Sequence, residues 1–338
     1  MKHAIHMLML VCALTIGLTL ALGSSSAAAK TKAADEQTPS PYITKIPRRD
    51  GKPGTNQWMV KPAPATALVL RQVVALAQPG DRIVLTEGDY LGGKTDGALL
   101  NIADKNDLEI VGQGTVNVLS RNVHGWLLDI VRSNNIIIEN IRFGHLLFTD
   151  TCQGGVADLG IVQNVTLRKC VFHGSGFVAV TISAGTNVTI EGCALIDCTA
   201  LSVSMDKCKN VRLRESVIAG TSGRYYGNDA YGNIMRNGRA FDVVMEKNLF
   251  IGNRTRFDEN EDFVDVTLKE NVFADNMFTI PPQVLAAGKN TQSTATGSLS
   301  GLLENRELFP TRQVHEAAQL TVEFRTFLKA QKAEHVGE

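Results

Sequence analysis

Asn164-Val-Thr-Leu-Arg168, followed by Asn187-Val-Thr-Ile-Glu191 and Asn210-Val-Arg-Leu-Arg214, decides how this chain folds. The same five-residue pattern recurs as Asn135-Ile-Ile-Ile-Glu139, Asp242-Val-Val-Met-Glu246 and Asp265-Val-Thr-Leu-Lys269, with a weaker first copy at Asp107-Leu-Glu-Ile-Val111. The starts are 28, 29, 23, 23, 32 and 23 residues apart. A unit near 23 residues that tolerates insertions marks a solenoid, because one such unit cannot bury its own apolar face. Within a copy the first and third residues after the Asn or Asp are apolar and the one between is mostly polar. That is a period of two, the signature of a strand with one buried face.

Eight residues after six of these corners comes a second apolar position: Phe143, Phe172, Leu195, Ile218, Phe250 and Phe273. Stacked strands lie about 4.8 Å apart, so each position becomes a column of like side chains. Asn and Asp suit the corner because they tolerate the left-handed backbone region. Four residues after the corner the chain reads Glu139, Arg168, Glu191, Arg214, Glu246, Lys269, with alternating sign. In register each charge has an opposite one above and below it. Each exposed pair contributes only about 0.2–1 kcal/mol, so the main effect is on register.

From about Gly80 to Asn276 these residues resemble the right-handed parallel β-helix of the pectate-lyase-like superfamily. The apolar helical stretch Ala67 to Gln78, the turn Pro79-Gly80-Asp81 and the strand Arg82 to Tyr90 fit the start of such a coil. The resemblance implies an all-β, single-stranded right-handed parallel β-helix solenoid with an N-terminal capping helix. It implies little about the reaction.

The expected organisation is a signal peptide over 1–29, a flexible leader over 30–65, the β-helix over 66–280, and a C-terminal loop and helix over 281–338. Met7 to Leu22 is apolar behind Lys2 and too short for a membrane span, which implies export to the periplasm or outside the cell. No segment of the mature chain is expected to cross a membrane. Val314 to Ala333 is expected to be a helix covering the far end of the coil or packing along its side. With 34 basic and 34 acidic residues there is no bulk charge to attract nucleic acid. Of six cysteines, Cys170 and Cys193 share a repeat position and are either a disulfide or two stacked buried thiols. Spacings fit no zinc pattern, so no metal or cofactor is expected.

The large insertions, Gly144 to Leu159, Gly220 to Tyr231 and Gly252 to Glu261, all follow the second apolar column and should line one flank. In the resembling superfamily that flank and the adjacent sheet commonly form a polysaccharide groove. On two coils, Val178 to Ser183 and Leu201 to Asp206, the outward floor is small and hydroxylated. It offers no carboxylate pair for glycoside hydrolysis and no acidic cluster for calcium-assisted lysis. The Asp pairs and Gly-His-Gly of polygalacturonase-like members and the Asp-Pro-His-Asp of alginate epimerases are missing.

Candidate residues are therefore sought in the loops. Arg224, Tyr225, Tyr226, Asp229 and Tyr231, with Arg236, Arg239 and Arg254, could stack on sugar rings and hold carboxylates or sulfates. They could equally fold the insertions onto the coil. His145 and His173 follow the Phe column one coil apart and could transfer protons, with Asp150 and Asp197 as partners. Two functions are open: a carbohydrate-binding β-helix, with a polysaccharide or oligosaccharide as partner, or a uronate-polymer lyase or epimerase. A rigid, non-catalytic rod is the third. The sequence sets no oligomeric state.

Overall fold

The computed structural model describes residues 39–48, 50, 55–146, 154–174, 177–222, 235–254, 265–277 and 282–335. Each coil contributes two strands to a continuous 17-stranded sheet bent at the corners, and a third strand to a separate six-stranded sheet. Coil-to-coil pairing is parallel throughout. The repeat register holds residue for residue: Val165 lies between Ile136 and Val188, and Arg168 between Glu139 and Glu191.

The corner residues behave as their chemistry requires. Asp107, Asn135, Asn164, Asn187, Asn210, Asp242 and Asp265 all have φ between 53° and 57°, the left-handed region that Asn and Asp tolerate best after glycine. Their amides also run head to tail along the coil. Asn135 donates to Asp107 at 2.8 Å, Asn164 to Asn135 at 2.9 Å, Asn187 to Asn164 at 2.8 Å and Asn210 to Asn187 at 2.7 Å. The charge ladder closes in pairs: Arg168–Glu139 at 2.7 Å, Arg214–Glu191 at 3.0 Å and Lys269–Glu246 at 3.9 Å.

The inner column is fully buried, with Phe143 stacked on Phe172 at 5.6 Å and Phe250 on Phe273 at 4.8 Å between ring centres. Cys170 and Cys193 are free buried thiols: the Cys170 N–H points to the Cys193 sulfur at 3.4 Å, and burial pushes the Cys193 thiol up. Cys152 lies outside the described residues.

The N-terminal helix, Thr66–Leu76, buries Val69, Leu70, Val73 and Val74 against the first coil. Within the stretch expected as a leader, Ile43–Pro47 and Asn56–Val60 form an antiparallel hairpin, and the second of these adds a parallel strand beneath Arg82–Gly92. Asp81 fixes that junction by accepting hydrogen bonds from the Trp58 ring at 2.8 Å and the Asn56 backbone at 2.6 Å. In the tail, Thr291–Ser293, expected as loop, pairs in parallel with Val272–Ala274.

The long helix, Arg312–His335, packs along the side of the coil. Val314, Ala317, Ala318, Phe324 and Leu328 bury against Val171, Ala194, Ile196, Val217, Ala219, Leu249 and Ile251. This explains why Ala194–Ile196, Val217–Ala219 and Leu249–Ile251 are apolar at every residue rather than alternately: they are covered on both faces.

Candidate functional site

The strands that launch the three insertions, Arg142–His145, Val217–Ala219 and Leu249–Ile251, stack within one sheet. The landing strands Ala157–Gly160 and Met235–Gly238 lie in the other. The insertions therefore leave the coil at one corner, as the spacing predicts. Their most informative residues, Asp150, Arg224, Tyr225, Tyr226, Asp229 and Tyr231, lie outside the described residues.

His145, His173 and Asp197 are near one another, but on the covered side. His145 has no exposure, and its Nε2 lies 3.0 Å from the Gly125 carbonyl; burial brings its pKa down to about 4. His173 is buried with its ring edge-on to Phe324 at 5.8 Å, and its Nε2 lies 3.4 Å from Asp197. Asp197 accepts a forked pair from Arg325 of the long helix. Burial alone would push the Asp197 carboxyl up. Hydrogen bonds from His173 and Arg325, and the charge of Arg325, overcome this and hold it at about 2. His173 and Asp197 dock the helix onto the coil, whereas His145 is buried against the Gly125 carbonyl.

Of the arginines, Arg239 pairs with Asp206 at 3.6 Å and is largely exposed. Arg254 is exposed, and its backbone N–H is bonded to Thr221. Arg236 is carried on the strand Met235–Gly238, opposite Ser204 in register.

The six-stranded sheet presents an outward column that corrects the expected floor. Register places Asn101, Asp129, Asp158, Thr181, Ser204 and Arg236 directly over one another. Two carboxylates, Asp129 and Asp158, are thus neighbours on successive coils, about 4.8 Å apart at the backbone. Each of these six sits six residues before the next corner Asn or Asp. Counting backward from the corner is the signal that finds them. The two coils used to read the floor carry Thr181 and Ser204 at this position, so the carboxylates one and two coils earlier do not appear in that sample.

The pair has an unusual electrostatic setting. Both side chains are half-buried. Burial first, and then the negative charge of Asp129, push the Asp158 carboxyl up to about 6. Asp129 is also raised by burial, with Arg132 opposing. Arg132 is engaged elsewhere, in a fork to Asp104 at 2.7 and 2.8 Å. Asn101 donates to Asp129 at 3.3 Å. Asp158 is therefore the carboxyl of the pair that keeps its proton to the higher pH, the side an acid–base pair needs for its acid.

Two aromatic rings sit just before strands of this sheet. Trp126, two residues before the strand that carries Asp129, packs with Phe177 against Val178, Ala200 and Leu201. Gly155 makes room for the indole: a Cβ there would come within 1.9 Å of the Trp126 ring. Among the described residues no cluster of three or more His, Cys, Asp or Glu could hold a metal ion.

Residues 108–296, more than half of the chain, match the family model described as a right-handed β-helix region. The chain belongs to the right-handed β-helix family. No curated protein matches it. Among solved structures, this β-helix is similar to the surface adhesin PfbA of Streptococcus pneumoniae at 15% identity and TM-score 0.43, covering 60% of this chain and 59% of that one. It is similar to the pectate lyase Pel9A at 14% identity and TM-score 0.42, covering 62% and 65%. A third is an alginate lyase from Paenibacillus sp. str. FPU-7, at 13% identity and TM-score 0.43, covering 64% and 87%. The chain thus spans about three-fifths of the adhesin's length. Likeness at this level carries no functional argument. Among the described residues, no helix is long and apolar enough to cross a membrane.

Proposed function

We propose that this β-helix binds a polysaccharide or oligosaccharide along the outward face of its six-stranded sheet and cleaves a glycosidic bond with Asp158 and Asp129. The observation that supports this reading is the in-register stacking of the two carboxylates, one of which keeps its proton to about pH 6. Asp158 donates its proton to the bridging oxygen as the C–O bond breaks. Asp129, ionised, attacks or stabilises the anomeric carbon, and water then releases the sugar and returns the proton. The strand spacing of about 4.8 Å lies nearer the separation of about 5–5.5 Å used for retention of configuration than the wider gap needed for inversion. Trp126 and Phe177 supply apolar surface for the sugar rings at the insertion flank.

The proposal moves the chemistry away from His173 and Asp197, which hold the docked helix, and from His145, which is fully buried. Arg224, Tyr225, Tyr226, Asp229, Tyr231 and Arg254 remain proposed contacts for more distant sugar units, and Asp150 has no assigned role. Met7 to Leu22 is proposed as an export signal, and that segment lies outside the described residues.

The test is release of reducing ends from a panel of oligosaccharides, with binding followed in parallel by calorimetry. The wild-type protein should cleave at least one, and Asp158→Asn and Asp129→Asn should each bind it and fail to cleave it. Binding with no cleavage across the panel would leave a lectin-like rod and remove the catalytic claim. Neither binding nor cleavage would remove both.

A further inference from the structure

The charges around the floor say which sugars it takes. Asp129 and Asp158 are flanked along their column by Asn101 on one side and by Thr181 and Ser204 on the other. All three flanking groups are neutral and able to bond hydroxyls. The described cations nearest the pair are engaged with protein acceptors. Arg132 is forked onto Asp104, and both Arg239 and Lys207 lie against Asp206, at 3.6 and 3.9 Å. The Lys105 ammonium donates to the Ala75 and Ala77 carbonyls at 3.3 and 2.9 Å. Among the described residues, then, the negative charge of the pair faces cations that are already bound to protein acceptors. Arg236 is three strands away from Asp158, about 14 Å along the column.

Taking the proposed site as given, we infer that the sugar units bound at Asp129 and Asp158 are uncharged, and that uronic acids and sulfated sugars are excluded there by repulsion. A uronate carboxylate placed within about 5 Å of the pair meets one or two like charges and no available cation. At the effective dielectric of a protein surface that disfavours it by about 10-fold or more in binding. Hydroxyl-rich neutral sugars meet donors and acceptors only. The arginine-bearing insertions begin several coils further along, so a polymer with charges spaced away from the cleaved bond is still admitted. This reverses the substrate class implied by resemblance to lyases, whose chemistry requires a carboxylate beside the abstracted proton.

Two measurements test it. The first compares neutral hexasaccharides of glucose, mannose, xylose and rhamnose with hexagalacturonate and hexamannuronate, for binding and for reducing-end release. At least one neutral hexasaccharide should bind about 10-fold or more tighter than both uronates at low salt. The second uses Asp104→Ala, which frees Arg132 beside Asp129 without touching either carboxylate. Uronate affinity should rise about 2–5-fold while neutral-sugar affinity stays unchanged. Preferential binding of uronates by the wild type would overturn the substrate class while leaving a saccharide site in place. No binding of either class would overturn the site and the inference together. An Asp104→Ala variant with unchanged uronate affinity would show that Arg132 does not set the selectivity and would also count against it.

Discussion

Two aspartates on the same scaffold are pushed in opposite directions. Asp197, on the face covered by the long helix, is held at about 2. Asp158, on the face left open, is raised to about 6. Both lie on the coil, and burial acts upward on both. They differ in their partners: Asp197 has a guanidinium and an imidazole within bonding distance, whereas Asp158 has another carboxylate as its neighbour in register. The covered face spends its ionisable groups on holding a helix in place. The open face keeps a carboxyl that holds its proton to about pH 6, and the proposed site rests on it.

The sharpest way to break the comparison is to strip the cover. Phe324 is fully buried among Leu119, Val171 and Ala194, beside His173. Phe324→Ala should destabilise the chain by about 3–5 kcal/mol in denaturant titration. It should also raise protease sensitivity at the long helix. A cost below about 1 kcal/mol would mean that the helix is not part of the folded core.

The next largest effect tests the charge partner. A carboxyl whose folded value is depressed contributes stability that is full above its ordinary value near 4 and is lost as pH falls through about 2. Arg325→Ala should therefore cost about 1–3 kcal/mol near pH 7, discounted because Asp197 and Arg325 are partly exposed. The gap from wild type should narrow below about pH 3. A gap independent of pH would mean that packing, not the ion pair, carries the effect.

On the open face the sign reverses. A carboxyl whose folded value is raised loses nothing below its ordinary value near 4, and it burdens the fold increasingly up to about pH 6. Asp158→Asn should stabilise the protein by about 1–2 kcal/mol above pH 6 and by almost nothing near pH 3.5. Higher stability with lost activity is the usual mark of a residue kept for function. A destabilising Asp158→Asn would contradict that.

The smallest expected effect concerns register. Arg168→Glu places a third like charge between Glu139 and Glu191 and should cost about 0.5–1.5 kcal/mol, less in high salt. The loss measured in urea should shrink as salt is raised from about 0.05 to 0.5 M.

The fold was legible because its signal is local and repeated. A corner residue that must turn left-handed and two apolar positions after it recur in seven copies, and a charge at the fourth position recurs in six of them. The hairpin before the first coil has no such repeat. Ile43–Pro47 is mostly exposed and reads as leader, and only Trp58 and Val60 reveal a strand. The partnership of Asp197 with Arg325 spans 128 residues and has no spacing rule that could announce it. Asp129 and Asp158 were within reach. Leu128-Asp-Ile-Val131 and Ala157-Asp-Leu-Gly160 have the same inward and outward alternation as Val180-Thr-Ile-Ser183, and each Asp sits six residues before a corner Asn. What sequence alone does not carry is their protonation, because that depends on burial and on the neighbour one coil away.

That protonation is open to direct measurement. Carboxyl carbon NMR titration of the aspartates should give Asp158 a midpoint near 6, falling when Asp129→Asn removes its neighbour's charge but staying above the ordinary aspartate value because burial remains. A midpoint for Asp158 near the ordinary aspartate value in the wild-type protein, unmoved by Asp129→Asn, would contradict the account of the open face.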